Sequence, residues 1–368
     1  MRVLVVNAGS SSTKLRLLDE HDTVAHGVDL PAGPDAADLD VLLDWTPPDV
    51  IGHRIVHGGT RFTGPVVITY TVREQLRDLT DLAPLHQPKS LAMLDAVSAR
   101  LPDIPAVASF DTAFHTTIPP AAATYAVPRE WRDRYAIRRY GFHGLSHVYS
   151  SRRAAELLDR PPRGLRIVTC HLGAGASLAA VVDGSSRDTT MGFTPLEGLV
   201  MATRSGTVDP GLVLWLEEHE HLTPHEIATA LEHRSGLTAL AGTGDMREIE
   251  AAANHGDPDA ILAIDVYTHR LASGIAAMSA ATSGLDVLVF TGGVGEHSVT
   301  VRRRAAERLA YLGIAIDPHR NDTADHDEDI SATGAAVRTM VITAREDLQI
   351  AVEARRCSPE HAHLASRS

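Results

Sequence analysis

The sequence predicts an α/β protein made of two related halves, and three observations carry that prediction. The opening stretch VLVVNAGSSSTKLRLLD, Val3 to Asp19, reads as strand, turn and strand. Val3 to Val6 form a β-branched and leucine run, and Leu15 to Leu18 alternate apolar with polar. CHLGAGASLAAVVDG, from Cys170, repeats the design, and a gapless alignment sets Gly9 on Gly173 and Asp19 on Asp183. FTGGVGE, Phe290 to Glu296, follows the apolar run Val287 to Val289 and precedes a helix expected from about Val299. Gly292, Gly293 and Gly295 would let backbone approach a ligand where side chains collide. One glycine-rich turn says little, but three small-residue turns after strands point to a phosphate-facing site.

The first turn holds Asn7, Ala8, Gly9, three serines, Thr13 and Lys14. Its amides, hydroxyls and single ammonium suit a phosphate; taken alone it would equally suit a serine-rich surface turn. Lys14 and Lys89 are the only lysines, which singles out Lys14. A chain of 368 residues is expected to form two domains. Its 44% apolar and 22% charged content is ordinary for a soluble globular protein. A net charge of −13 argues against a nucleic-acid surface, which demands a basic face. Two cysteines, one in an expected core strand, point to a reducing cytoplasm. No signal segment or membrane-length apolar run is evident.

Further along, His21 to Pro48 reads as loop plus one short helix. DVIGHRIVHGG, Asp49 to Gly59, places Arg54 on or just after a strand. Helical spacing over Val72–Leu82 and Ser90–Leu101 flanks a Pro-bounded loop with Leu85 and His86. Ala106 to Ser109 is a short strand with Asp111 at its carboxyl end, where ligands bind in open α/β sheets. YGFHGLSHVY leads into a helix through Leu158. Met191 to Pro210 is too long for an ordinary connection, which suggests a functional loop. Helices are expected at Gly211–His219, Thr223–His233 and Asp257–Thr282, the last with a buried stripe of Ile261, Ile264, Leu271, Ile275 and Met278. The tail beyond Arg356 reads as polar and disordered.

Asn7, Arg54, Asp111, His143, His171, Arg204, Asp245, Arg247 and Glu346 sit in or beside apolar or Gly-rich segments. Each alone has a structural explanation, as a surface ion pair or a satisfied histidine. His143 and His147 are four apart, but no third ligand has zinc-hydrolase spacing. Together the set suits phosphoryl transfer, which needs positioning and charge neutralisation. Two arginines can clamp a carboxylate or a phosphoryl group, a carboxylate with an amide oxygen can hold Mg²⁺, and an imidazole can donate to developing charge. No Walker-type loop or protein-kinase signature is present.

VLVVNAGSSSTKL, GHRIVHGG, FDTAFHTTIPP, YGFHGLSH, CHLGAGAS, MGFTPLEG, TRSG, FTGGVGE and ITAREDLQIA resemble, in order and wording, the acetate kinase family. The resemblance spans Val3 to about Glu353. It implies two duplicated actin-like (ribonuclease H-like) domains around a nucleotide cleft: residues 1–110 with 348–368, and 111–347. It implies reversible transfer of the ATP γ-phosphoryl group to acetate with Mg²⁺, or Mn²⁺, in a homodimer. Carried over, Asn7 and Glu346 belong to the metal site, and Ser10, Ser12 and Lys14 to the phosphate-facing hairpin. Arg54 and Arg204 flank the acetate and the phosphoryl in flight, His143 donates to the transition state, and Asp111 orients the reacting groups. Val56, Leu85, Phe142 and Pro195 form the methyl pocket. His171, Leu172, Gly173, Ala174 and Gly175, then Asp245, Met246 and Arg247, then Gly293, Val294, Gly295, Glu296 and His297, line the ATP site.

Four departures from the family pattern stand out. Ala174 replaces a phosphate-contacting Asn. Ala176 and His297 stand where Ser and Asn are usual, and Arg345 replaces Asn beside the metal-site glutamate. A propionate or butyrate kinase is the alternative within enzymes, and an actin- or Hsp70-like ATP-binding regulator the alternative outside them.

Overall fold

The first hairpin forms as its residue pattern dictates. β1 (Val3–Ala8) pairs antiparallel with β2 (Ser12–Leu18), Ala8 opposite Thr13. The structure, a computed structural model of the chain, describes residues 1–9, 12–31, 33–35, 37–80 and 87–358. Ser10, Leu85, His86 and the tail from 359 therefore lie outside the described residues.

The chain divides into two units. The first comprises Met1–Thr116, Phe142–Tyr149 and the segment from Arg345; the second comprises Thr117–Gly141 and Ser150–Ala344. The first unit thus extends past residue 110 and takes 142–149 as well. Leu145 explains the latter, because it is buried in one core with Val3, Val5 and Ile350.

In the first unit β3 (Val24–Pro31), β4 (Val50–Ile55), β5 (Val66–Val67) and β6 (Ala106–Phe110) complete a six-stranded sheet. Its order is β3-β2-β1-β4-β6-β5, with β1, β4 and β6 parallel neighbours. VLVV is apolar without alternation because both faces are covered. Val3 and Val5 pack with Ile350, Ala351 and Ala354 of the helix Glu346–Cys357, and Leu4 and Val6 with Met93 and Val97 of the helix Gln87–Arg100.

The second unit holds β7 (Arg166–Leu172), β8 (Ala176–Val182), β9 (Ser185–Thr189), β10 (Val287–Thr291), β11 (Glu328–Asp329) and β12 (Arg338–Val341). Its order is β11-β12-β10-β7-β8-β9. Substituting β7 for β1, β8 for β2 and so on turns one order into the other, with the same strand directions. The duplication inferred from two hairpins therefore covers both entire sheets.

The gapless hairpin alignment needs correction. Ala8 faces Thr13 across the first turn, but Leu172 faces Ala176 across the second. The second loop is one residue shorter, so Lys14 corresponds in the ladder to Ser177, and Asp19 to Val182. Side chains alternate with period two, and a one-residue slip of β8 would exchange its two buried faces. The shorter loop absorbs the difference, leaving Leu15 and Leu178 both buried.

Three other expectations change. The stretch read as loop contains β3, which is mostly exposed and pairs only with β2. In its VAHGVDLP only Val28 and Leu30 pack against the core, so the apolar alternation is too short to mark a strand. Short helices at Gly236–Ala241 and Met246–Asn254 were not foreseen. In the helix Pro258–Ala281 the buried stripe runs through Ile264, Leu271, Ile275 and Met278, but Ile261 is exposed, one position off the line from Ala260 to Ile264.

Candidate functional site

β1, β4 and β6 lie side by side and parallel, so their carboxyl ends deliver Asn7, Arg54 and Asp111 to one edge of the first unit. Arg54 is the hub. Its Nε donates to Asp111 Oδ1 at 3.0 Å and its Nη2 to Oδ2 at 2.6 Å. Its Nη1 reaches Asn7 Oδ1 at 3.3 Å, and Asn7 Nδ2 donates to Glu346 Oε2 at 2.8 Å. Burial works against the Arg54 charge, yet Asp111 and Glu346 raise its pKa above the ordinary value. Burial pushes the Asp111 carboxyl up, against the pull of Arg54. These two tendencies oppose each other, and geometry decides: a guanidinium has donors only, so the two-point fork is that of an ionised pair.

His143 has φ 56°, a left-handed conformation that costs a non-glycine residue about 1–3 kcal/mol. The next residue holds it there. Gly144 N donates to Asp111 O at 2.8 Å, and a Cβ on Gly144 would lie 2.3 Å from that oxygen. Backbone thus ties the imidazole's segment directly to Asp111. Sequence reasoning missed Gly144, whose contribution is the lack of a side chain. Phe142 is buried, edge-on to His57 at 5.5 Å, and His115 Nε2 bonds its carbonyl at 3.0 Å. Burial lowers His57 to about 4, so a neutral ring accepts at Nδ1 from Gly59 N. Val56 is buried as well.

Lys14 is exposed on β2, opposite Asn7. Ser12 O accepts from Gly9 N at 2.9 Å and closes the turn. Asn7 and Glu346 offer one amide oxygen and one carboxylate. Two hard oxygen donors fit Mg²⁺, which keeps most of its coordination for water and substrate phosphates. No group of three or more His, Cys, Asp or Glu side chains suited to a metal occurs among the described residues.

In the second unit His171 lies near the end of β7, and Gly173 N closes its turn onto Gly175 O at 2.9 Å, leaving Ala174 exposed. Leu172 is fully buried, so only its backbone faces the turn. FTGGVGE is less a loop than expected: β10 passes straight into a helix at Gly292–His297. Gly292, at φ 78°, clears the Leu172 carbonyl, since a Cβ would come within 2.8 Å of that oxygen. Glu296 Oε1 accepts from Gly292 N and Ala344 N, which ties the helix Gly292–His297 to the segment after β12. Asp245 caps the helix Met246–Asn254, and the Arg247 side chain folds back on it, holding its carboxyl down to about 2. Met246 is buried, while Gly293 and His297 are exposed. Arg204 Nη1 donates to Pro195 O at 3.3 Å, so one loop sets both residues.

The model of the acetokinase family matches residues 44–352 of the chain. The protein belongs to the acetokinase family. It is 43% identical over 402 residues to the acetate kinase of Microcystis aeruginosa, covering 98% of this chain and 100% of that protein. Among solved structures it resembles a propionate kinase from Francisella tularensis, with a TM-score of 0.90 and 36% identity over 97% of this chain and 100% of that one. It also resembles the acetate kinase of Porphyromonas gingivalis, with a TM-score of 0.89 and 35% identity over 97% and 99%. The duplicated actin-like α/β architecture read from the sequence agrees with these neighbours.

One departure from the acetokinase pattern is disarmed by its surroundings. Arg345, expected to bring positive charge beside the metal site, donates from Nε and Nη2 to the two carboxylate oxygens of Asp347, at 2.9 Å each. The pair leaves no net charge there.

Proposed function

We propose that the protein is a phosphotransferase with a carboxyl acceptor, moving the ATP γ-phosphoryl group reversibly to acetate. The observation supporting this is the Glu346–Asn7–Arg54–Asp111 array at one sheet edge, in a chain of the acetokinase family. An acetate oxygen attacks the γ-phosphorus, the bond to the β–γ bridging oxygen breaks, and ADP leaves. Arg54, oriented by Asp111, and Arg204 balance the charge of the phosphoryl in flight, and His143 donates to it. Mg²⁺ at Asn7 and Glu346 would neutralise phosphate charge. His171–Gly175, Asp245–Arg247 and Gly293–His297 are assigned to the nucleotide, and Ser12 and Lys14 to its phosphates; Ser10, assigned with them, lies outside the described residues.

Propionate is the second reading, favoured by the similarity to a propionate kinase. Val56, Phe142, Pro195 and the undescribed Leu85 would enclose the methyl group. One methylene shifts selectivity by only roughly tenfold to a few hundredfold, so propionate should be a poorer substrate and not an excluded one. Incubating the protein with Mg-ATP and each acid, and trapping acyl phosphate with hydroxylamine, tests both readings. Fastest hydroxamate formation from acetate supports the first. Faster formation from propionate supports the second. ATP binding with no product from any acid would leave an ATP-binding regulator.

No helix among the described residues is long and apolar enough to cross a membrane. A cytoplasmic location is supported by the two cysteines, both free. A homodimer is supported by the helix Pro210–His219, which is apolar yet buries no residue and exposes Leu212, Leu214 and Trp215. Uncovered apolar area of this kind marks an interface. The double variant Leu214→Glu/Trp215→Glu is expected to halve the mass measured by sedimentation, and a monomeric parent protein would refute the assignment.

A further inference from the structure

The MGFTPLEG segment carries a residue set that the reading above leaves without a role. Arg139 and Glu197 are largely withdrawn from solvent in the second unit, their side chains 17% and 32% exposed. Arg139 Nη1 donates to the carbonyls of Thr189, Thr190 and Met191, each at 3.1 Å, and Nη2 to Glu197 Oε1 at 2.9 Å. The guanidinium lies over the Tyr125 ring, 5.5 Å from its centre. The Tyr125 hydroxyl donates to Glu197 Oε2 and accepts from Phe193 N at 3.0 Å. Gly192 threads between these groups, where a Cβ would stand 1.7 Å from Glu197 Oε2 and 2.0 Å from the Tyr125 hydroxyl. Its carbonyl accepts from Tyr140 N at 3.0 Å, immediately before Phe142 and His143 in sequence.

Both sides of Pro195 are thereby held, Phe193 through its amide and Glu197 through its carboxylate. The Pro195 carbonyl in turn receives Arg204 Nη1. We propose that Arg139, Glu197 and Tyr125 are positioning residues that set the Pro195 wall of the carboxylate pocket and the seat of Arg204, and so control acid affinity and the choice between acetate and propionate. The inference rests on the assignment of Pro195 and Arg204 to the site.

A planar fork is required here, since one ammonium cannot serve three carbonyls and a carboxylate at once. Glu197→Gln keeps the volume but removes the charge and leaves one acceptor oxygen for two donors, Arg139 and Tyr125. Displacement of a catalytic group by about 1 Å can cost a hundredfold. Glu197→Gln and Arg139→Lys are therefore expected to raise the KM for acetate roughly tenfold or more, and to change the propionate-to-acetate ratio of kcat/KM by at least about threefold. The KM for ATP should stay within about twofold. Tyr125→Phe, which removes one hydroxyl, should shift the acetate KM in the same direction by a smaller factor, and it serves if the other two do not fold.

Arg204→Ala is measured in parallel. Normal turnover in Arg204→Ala would defeat the site assignment itself. Collapse of Arg204→Ala beside an unchanged acetate KM and an unchanged acid ratio in folded Glu197→Gln, or in Tyr125→Phe, would overturn the clamp alone. A loss of kcat with every KM and the acid ratio unaltered would also overturn it, since that is the signature of a smaller active fraction.

Discussion

Arg54→Ala is expected to lower turnover by about two to four orders of magnitude, or about 3–5 kcal/mol of transition-state stabilisation. The guanidinium engages Asp111 by a two-point fork and Asn7 by a third bond, and Asn7 in turn bonds Glu346. Removing it does more than delete the charge proposed to face the phosphoryl group. Asp111 is 1% exposed and would be left as a buried carboxylate without its cation, and breaking such a pair typically costs about 3–5 kcal/mol of stability. Thermal unfolding and turnover should fall together. Arg54→Lys separates the two effects: it keeps a cation near Asp111 but cannot make the fork and the Asn7 contact at once, so stability should recover further than turnover. Near-normal turnover in a folded Arg54→Ala protein would remove Arg54 from the site.

Gly144→Ala should be nearly as damaging, although it alters no functional group. The added methyl would stand 2.3 Å from Asp111 O and 2.9 Å from Phe114 Cβ. The first of these is backbone, which cannot step aside alone. Overpacking of this kind costs about 1–3 kcal/mol. The 2.8 Å bond from Gly144 N to Asp111 O would stretch, and it fixes His143 at its positive φ beside Asp111. A displacement near 1 Å at both residues should lower turnover by about a hundredfold. Melting temperature and kcat report the two parts separately. A variant with parent-like values of both would show that the segment tolerates the shift and that Gly144 has no positioning role.

The polar residues of the candidate site were legible because each breaks an apolar or Gly-rich pattern. Arg54 follows VIGH, Asp111 ends the run VASF, and Asn7 ends VLVV. A charge at the carboxyl end of a strand is conspicuous when its neighbours are core. The edge strand β3 was not legible, because most of its side chains face solvent and only Val28 and Leu30 reach the core. A glycine announces that a side chain would collide, but not with what, and at Gly292 one obstacle is the Leu172 carbonyl. The pairing of Arg345 with Asp347 could not be read from sequence, because it depends on how the two side chains lie at the start of a helix.

By itself the sequence determined the α/β class, the two-fold repetition, the family and the identity of the polar residues at the strand ends. These follow from local pattern, from side-chain periodicity and from motifs in fixed order. Tertiary structure alone decided the partners: that Arg54 is shared between Asp111 and Asn7, that Gly144 ties His143 to Asp111, and that Arg139, Tyr125 and Glu197 enclose Gly192. Such contacts join residues up to 339 positions apart, as Asn7 and Glu346 are. Strand order and loop closure set those distances, and no local stretch of sequence encodes them.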